Sequence, residues 1–254
     1  MTSRRARRGA AILALCLASA LATGCGAFGD GSAARQGPSP AVVATQPVVA
    51  SSAPVVMFLG DSYTVGERGR RPEDTYAAAT ARLLGWQPVL GGRGGTGFVA
   101  GTRIRQSFGM LFESQLGWRP APDLLIVSGG HNDWPYPPRQ VAAAADDVLD
   151  RARKRWPTTR IAFVGPLWGS QSPPRAALAI RDALRKVAQR HGVPFIDPIA
   201  ERWITGDRRQ NTGNAVRYIR PDGTHPTDQG HRYIAARLAA DLERLGLARP
   251  TVKN

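Results

Sequence analysis

The stretch Val55-Val56-Met57-Phe58-Leu59-Gly60-Asp61-Ser62-Tyr63-Thr64-Val65-Gly66 sets the fold. An unbroken apolar run of this length, without polar alternation, reads as a strand covered on both faces, as in a parallel sheet. It stops at Gly60 and delivers Ser62 onto a turn. Open α/β sheets collect their ligands at such strand ends, which makes Ser62 a candidate nucleophile. Asp61 and Ser62 also suit a helix N-cap, and taken alone that is the simpler reading.

Working outward, apolar runs alternate with amphipathic segments. Glu73 to Leu84, after Pro72, reads as a helix. Trp86 to Leu90 is a second strand leading into a glycine-rich loop, and Arg105 to Gln115 a further helix. Asp123 to Gly130 contains the third strand, Gln140 to Trp156 is a long Ala-rich helix with Asp146, Asp147 and Asp150 on its polar side, and Ile161 to Gly165 is the fourth strand. Pro174 to His191 is helical. Gly192 ends that helix before a fifth strand at Val193 to Asp197, and Thr227 caps a last helix running to about Leu245. This alternation predicts a flavodoxin-like three-layer α/β/α domain over residues 55–249 with a five-stranded parallel sheet. Right-handed crossovers then gather the loops after Leu59, Leu90, Ser128 and Gly165 at one sheet edge, together with the long loop from Thr205 to Pro226.

The segment before this domain has a different character. Arg4, Arg5, Arg7 and Arg8 precede an apolar run from Ala10 to Ala22, the layout of an export signal over residues 1–24. The run is short for a membrane span. It ends in Leu21-Ala22-Thr23-Gly24-Cys25, which resembles a bacterial lipobox and makes Cys25 a candidate lipidation site. Residues 25–54 are rich in Gly, Ser, Ala and Pro and read as a flexible linker. Cys16 lies inside the signal, so the domain is expected to hold no disulfide and to rely on its core.

The formal charge is +15, from 34 Lys and Arg against 19 Asp and Glu. Without the four signal arginines the balance is 30 against 19, or +11. In an exported protein this excess favours an anionic cell-envelope surface as a partner. No basic run interleaved with aromatics and no nucleic-acid module is present, so nucleic acid is not expected. A monomer is expected.

Serine becomes a useful nucleophile only when a base takes its proton and a third group orients that base. Of the four histidines, His191 sits at a helix C-terminus and His231 inside the last helix, where structural roles suffice. His131 follows the third strand. His225 lies in Pro221-Asp222-Gly223-Thr224-His225-Pro226, where Asp222 can reach one ring nitrogen while the other faces outward. Three groups are available to an oxyanion: the N–H of Ser62, an N–H from Gly94 or Gly95, and the amide of Asn132 in Gly130-His131-Asn132-Asp133.

The order Gly-Asp-Ser, glycine loop, Gly-x-Asn-Asp and Asp-x-x-His resembles the SGNH hydrolases, also called the GDSL esterase/lipase family. The resemblance implies a serine esterase with Ser62 as nucleophile, His225 and Asp222 as base and orienting carboxylate, and Ser62, Gly95 and Asn132 as the oxyanion hole. It implies no cofactor and no metal. Tyr63 replaces the leucine of the family's eponymous motif, a change expected to affect pocket lining more than chemistry. The second block lacks an obvious asparagine before its glycines. The ester is left open among lipid, short-chain and O-acetyl esters, the last on an acetylated glycan; Trp134, Tyr136 and Trp168 are candidates to line its pocket.

Gly92-Arg93-Gly94-Gly95-Thr96-Gly97 also fits a dinucleotide fingerprint, but it follows the second strand and opens into no helix. The chain has no G-x-S-x-G elbow. Two further rivals are a surface-tethered glycan- or lipid-binding protein on the same fold, and an O-acyltransferase.

Overall fold

The structure is a computed structural model that describes residues 52–252 apart from 68 and 102–105. The expected signal, Cys25 and nearly all of the expected linker lie outside the described residues. In order, the elements are β1 (Val55–Gly60), α1 (Ser62–Val65), α2 (Tyr76–Leu84), β2 (Gln87–Gly92), α3 (Phe108–Leu111), β3 (Leu124–Ser128), α4 (Pro138–Arg155), β4 (Arg160–Val164), α5 (Arg175–Arg190), β5 (Phe195–Ile196), α6 (Ala215–Tyr218) and α7 (Asp228–Arg244). No described helix is long and apolar enough to cross a membrane.

The strands form one five-stranded parallel sheet in the order β2-β1-β3-β4-β5. Successive residues of each central strand enter opposite cores, the period-2 consequence of the pleat. Val56, Phe58, Leu124, Ile126, Ala162 and Val164 pack with α2 and α7. Met57, Leu59, Leu125, Val127, Ile161 and Phe163 pack with α3, α4 and α5. Both faces are thus covered, which is why the strands are continuously apolar. In this order the chain leaves β1 toward β2 on one side and leaves β3 toward β4 on the other, and a crevice opens between the carboxyl ends of β1 and β3. Gly60 and Ser128 are paired there.

Several boundaries differ from those expected. The helix expected from Glu73 is a 3₁₀ turn at Pro72–Asp74, and α2 starts after Thr75, whose backbone is extended. The Tyr76 N–H is given to Nδ1 of His231 at 3.0 Å, which ties α2 to α7. β2 runs on to Gly92 because Gly91 and Gly92 still pair with Leu59 and Gly60. The helix expected at Arg105–Gln115 begins at Phe108, whose N–H bonds to Gly97 O, and widens into a π-turn at Phe112–Leu116. Asp197 leaves the last strand and accepts the Ala200 N–H, so β5 has two residues.

Candidate active site

Ser62 is the first residue of α1, and Asp61 caps that helix by accepting the Tyr63 N–H at 3.0 Å. Asp61 O takes the N–H groups of Thr64 and Val65. The N–H of Ser62 has no backbone partner among the described residues. Gly60 is required for this tight junction: a Cβ there would lie 2.1 Å from Thr64 Oγ1. Gly66, with φ +87°, ends the helix after four residues.

His225 arrives from the other end of the chain. An antiparallel bridge between Ile219 and Pro226 closes its loop, and the Arg220 N–H bonds to His225 O at 2.8 Å. Asp222 Oδ1 accepts the N–H groups of Thr224 and His225, each at 2.9 Å, while Oδ2 lies 2.8 Å from His225 Nδ1. Burial works against ionisation of Asp222, but these N–H groups and the imidazole outweigh it and hold the carboxyl below its ordinary range. The carboxylate assigns the proton to Nδ1, leaving Nε2 bare, 3.0 Å from Ser62 Oγ.

Tyr63 locks the two loops together. Its hydroxyl donates to Thr224 O at 2.5 Å, and its ring lies 5.9 Å from His225 and 5.6 Å from His131. Burial, with Asp61 and Asp222 nearby, pushes its hydroxyl well above the usual phenol range, so it stays a donor. At 2% exposure Tyr63 is a buried structural tie between the two loops.

Gly95 has φ +76° and sits in a turn closed by the Thr96 N–H to Arg93 O. Neither Gly94 nor Gly95 donates its N–H to backbone among the described residues. A Cβ on Gly94 would lie 3.6 Å from Ser62 Cβ, which places this turn beside the serine. Asn132 Nδ2 donates to Thr96 O at 2.9 Å, and its other hydrogen has only Asp61 Oδ2 at 3.5 Å. That second hydrogen is free for a better acceptor. The expected set therefore converges: Ser62, His225 and Asp222 in one hydrogen-bonded line, with Gly95 and Asn132 joined through Thr96.

Three residues take parts that the sequence reading did not assign them. Asp133, fully buried, accepts the N–H groups of Phe98, Val99 and Ala100 at 2.8 to 2.9 Å and so shapes the rest of the glycine loop. Burial raises its carboxyl above the usual range, and the three N–H groups oppose that shift. Gly97 leaves room for it, since a Cβ there would lie 2.2 Å from Asp133 Oδ2. Tyr63 is the second. The third is Glu67, just past α1: its Oε2 lies 3.0 Å from His225 Nδ1, and its Oε1 pairs with Arg220. Nothing in the spacing of Glu67 signals this contact, whereas Asp133 stood in a recognised motif.

The other histidines are structural. His191 binds Asp146 at 3.0 Å from the end of α5, and His231 is buried, its pKa driven down to about 3 by desolvation. His131 Nδ1 bonds to Leu167 O and its ring rests on Trp168; burial lowers its pKa as well. Trp134 and Tyr136 are exposed beyond it. Among the described residues Glu67, Asp222 and His225 offer the one cluster of metal-type ligands, but the Arg220 guanidinium already pairs with it.

An α/β/α sheet with a Ser–His–Asp line at its switch point has the arrangement of a serine hydrolase. Comparison with known proteins narrows the class. The chain belongs to the GDSL-like lipase/acylhydrolase family, whose model matches residues 58–233, and it is a carboxylic ester hydrolase. It is 32% identical over 197 residues to the GDSL lipase Rv0518 of Mycobacterium tuberculosis, a match covering 72% of this chain and 79% of that one. Its fold is similar to a family two carbohydrate esterase from Clostridium thermocellum solved with cellohexaose (TM-score 0.57, 19% identity, 76% of this chain and 65% of that one). It is also similar to a carbohydrate acetylesterase from Sinorhizobium meliloti (TM-score 0.59, 15% identity, 76% and 99%) and to an aryl esterase of M. smegmatis (TM-score 0.56, 17% identity, 76% and 100%).

Proposed function

We propose that this chain is an exported serine esterase that cleaves carboxylic esters through an acyl-enzyme on Ser62. One observation carries the assignment: Ser62 Oγ lies 3.0 Å from His225 Nε2, and His225 Nδ1 lies 2.8 Å from Asp222. Ser62 Oγ attacks the ester carbonyl while its proton passes to Nε2. The negative charge on the carbonyl oxygen falls to the N–H groups of Ser62 and Gly95 and to the Asn132 amide. His225 then protonates the departing alkoxide as the C–O bond breaks, and water repeats the sequence with Ser62 as the leaving group. Asp222 stabilises the imidazolium formed in each half. None of these steps calls on a metal or cofactor. The basic residues before the apolar run at Ala10–Ala22 support export, and Cys25 supports a lipid tether at an anionic envelope surface.

The substrate panel follows from the relatives, which include a lipase, carbohydrate esterases and an aryl esterase: nitrophenyl esters of increasing chain length beside an acetylated glycan. A fluorophosphonate probe should label the wild type at Ser62, and Ser62→Ala should lose label and at least about a thousandfold in kcat. Equal turnover by the variant, or no labelling of the wild type, refutes the assignment.

A further inference from the structure

His225 Nδ1 faces two carboxylates. Asp222 Oδ2 lies at 2.8 Å and Glu67 Oε2 at 3.0 Å, on opposite sides of the chain's long course from residue 67 to residue 222. The Nδ1–H hydrogen bond goes to Asp222 Oδ2, and Glu67 Oε2 lies beside it at ion-pair distance. We propose that Glu67 is a second positioning residue for His225, sharing with Asp222 the tasks of fixing the Nδ1–H tautomer and stabilising the imidazolium; the inference rests on the serine esterase reading above.

The electrostatics give Glu67 a part of its own. Of the two carboxylates Glu67 is the less solvated, 20% exposed against 42% for Asp222, so its charge acts through a lower effective dielectric. Arg220 pairs with the far oxygen of Glu67, which limits the repulsion between two anions around one ring. With the imidazole neutral, Asp222, Glu67 and Arg220 sum to one negative charge. When Nε2 takes the Ser62 proton the cluster becomes neutral, so the arrangement favours the charge that forms in the transition state over the resting state. Arg220 also belongs to the turn that carries His225, because its N–H bonds to His225 O. Glu67 therefore fastens the loop after the nucleophile helix to the loop bearing the base. The other titratable groups facing His225 are Tyr63 on α1 and His131 after β3; His231 on α7 acts on it electrostatically from farther away.

A double-mutant series on one nitrophenyl ester tests the proposal, with kcat, KM and the pH profile of kcat/KM measured for each protein and fluorophosphonate labelling rates as a second readout. A serine hydrolase that relies on one carboxylate loses about 10⁴-fold when that group is disabled. Here Asp222→Ala should lose only about ten- to a hundredfold, because the Glu67 carboxylate beside Nδ1 is placed to take over its N–H. Glu67→Gln should lower kcat severalfold at unchanged KM and move the acidic limb of the profile to lower pH, while Glu67→Asp recovers part of the loss. Combining Asp222→Ala with Glu67→Gln should cost about a further hundredfold.

Arg220→Met separates electrostatics from loop anchoring. It breaks the same ion pair but leaves the carboxylate, so it should move the acidic limb to higher pH, opposite to Glu67→Gln. Shifts in the same direction, or a double variant no slower than Asp222→Ala, overturn the proposal. A wild type that neither labels nor turns over any ester would instead overturn the serine esterase reading.

Discussion

Asp61→Asn should make the protein more stable at pH 8 and slightly less stable, by about 1 kcal/mol, at pH 4. The Asp61 carboxyl is 3% exposed, accepts the Tyr63 N–H at 3.0 Å and has Asp133 in its field. Burial, with a smaller contribution from Asp133, raises its pKa from 3.8 to about 7 against the pull of the Tyr63 N–H. Across the window from about pH 4 to about pH 7 the folded protein keeps a proton that the unfolded chain has released. Stability from this group is therefore complete below about pH 4, falls as pH rises through the window, and is lost above it. A shift of about 3 units at about 1.4 kcal/mol each amounts to about 4 kcal/mol at pH 8. Asparagine keeps the acceptor for Tyr63 but turns an amide toward Asn132, a donor meeting a donor, which costs about 1 kcal/mol. The expected gain at pH 8 is about 3 kcal/mol, or about 6–12 °C in Tm for a domain of this size. Thermal and urea melts of both proteins at pH 4, 5, 6, 7 and 8 measure it. Taking the difference between the two proteins cancels Asp222 and Asp228, whose carboxyls are held below their ordinary range and slope the other way. A gain that does not vary with pH, or a variant weaker than wild type at pH 8, refutes the reasoning.

Two other substitutions probe the glycine loop. Asn132→Ala should lower kcat by about a hundredfold, roughly 3 kcal/mol of transition-state stabilisation, with a small change in KM; an unchanged kcat moves the oxyanion donor elsewhere. Gly97→Ala should lower stability by about 2–4 kcal/mol, because its Cβ meets Asp133 Oδ2 at 2.2 Å and forces the carboxylate off buried N–H groups; a melt within 1 °C of wild type would show that the loop yields freely.

The sheet was legible because burial on both faces writes itself into sequence as unbroken apolar runs, and β1, β3 and β4 are such runs. Helix starts were harder. Pro72 announces a helical turn, yet α2 waits for Tyr76 because its first N–H is taken by His231, 155 residues away. No local pattern encodes such a partner. The same distinction divides the site. Asp222 and His225 are three residues apart, so the chain's own turn brings them together and their pairing was readable. Asn132 and Asp133 were flagged by their motif, but Asp133's hold on the three N–H groups at Phe98, Val99 and Ala100 needed the fold. Glu67 and Tyr63 reach the base loop only because the switch point folds the ends of the domain onto each other.

That contrast also resolves the two interpretations of the opening stretch, helix cap or reactive serine, which turn out to depend on each other. Asp61 satisfies the second N–H of α1 with its side chain and the third and fourth with its carbonyl, which leaves the Ser62 N–H without a backbone partner. A serine one residue later would lose that free N–H; one residue earlier it would be the cap itself. The helix is also short, ending at Gly66 after four residues, and this shortness puts Glu67 within reach of His225 instead of on a helix surface. Capping chemistry and helix length thus place both the hydroxyl and a carboxylate against the same imidazole, and either feature read alone accounts for only half of the geometry.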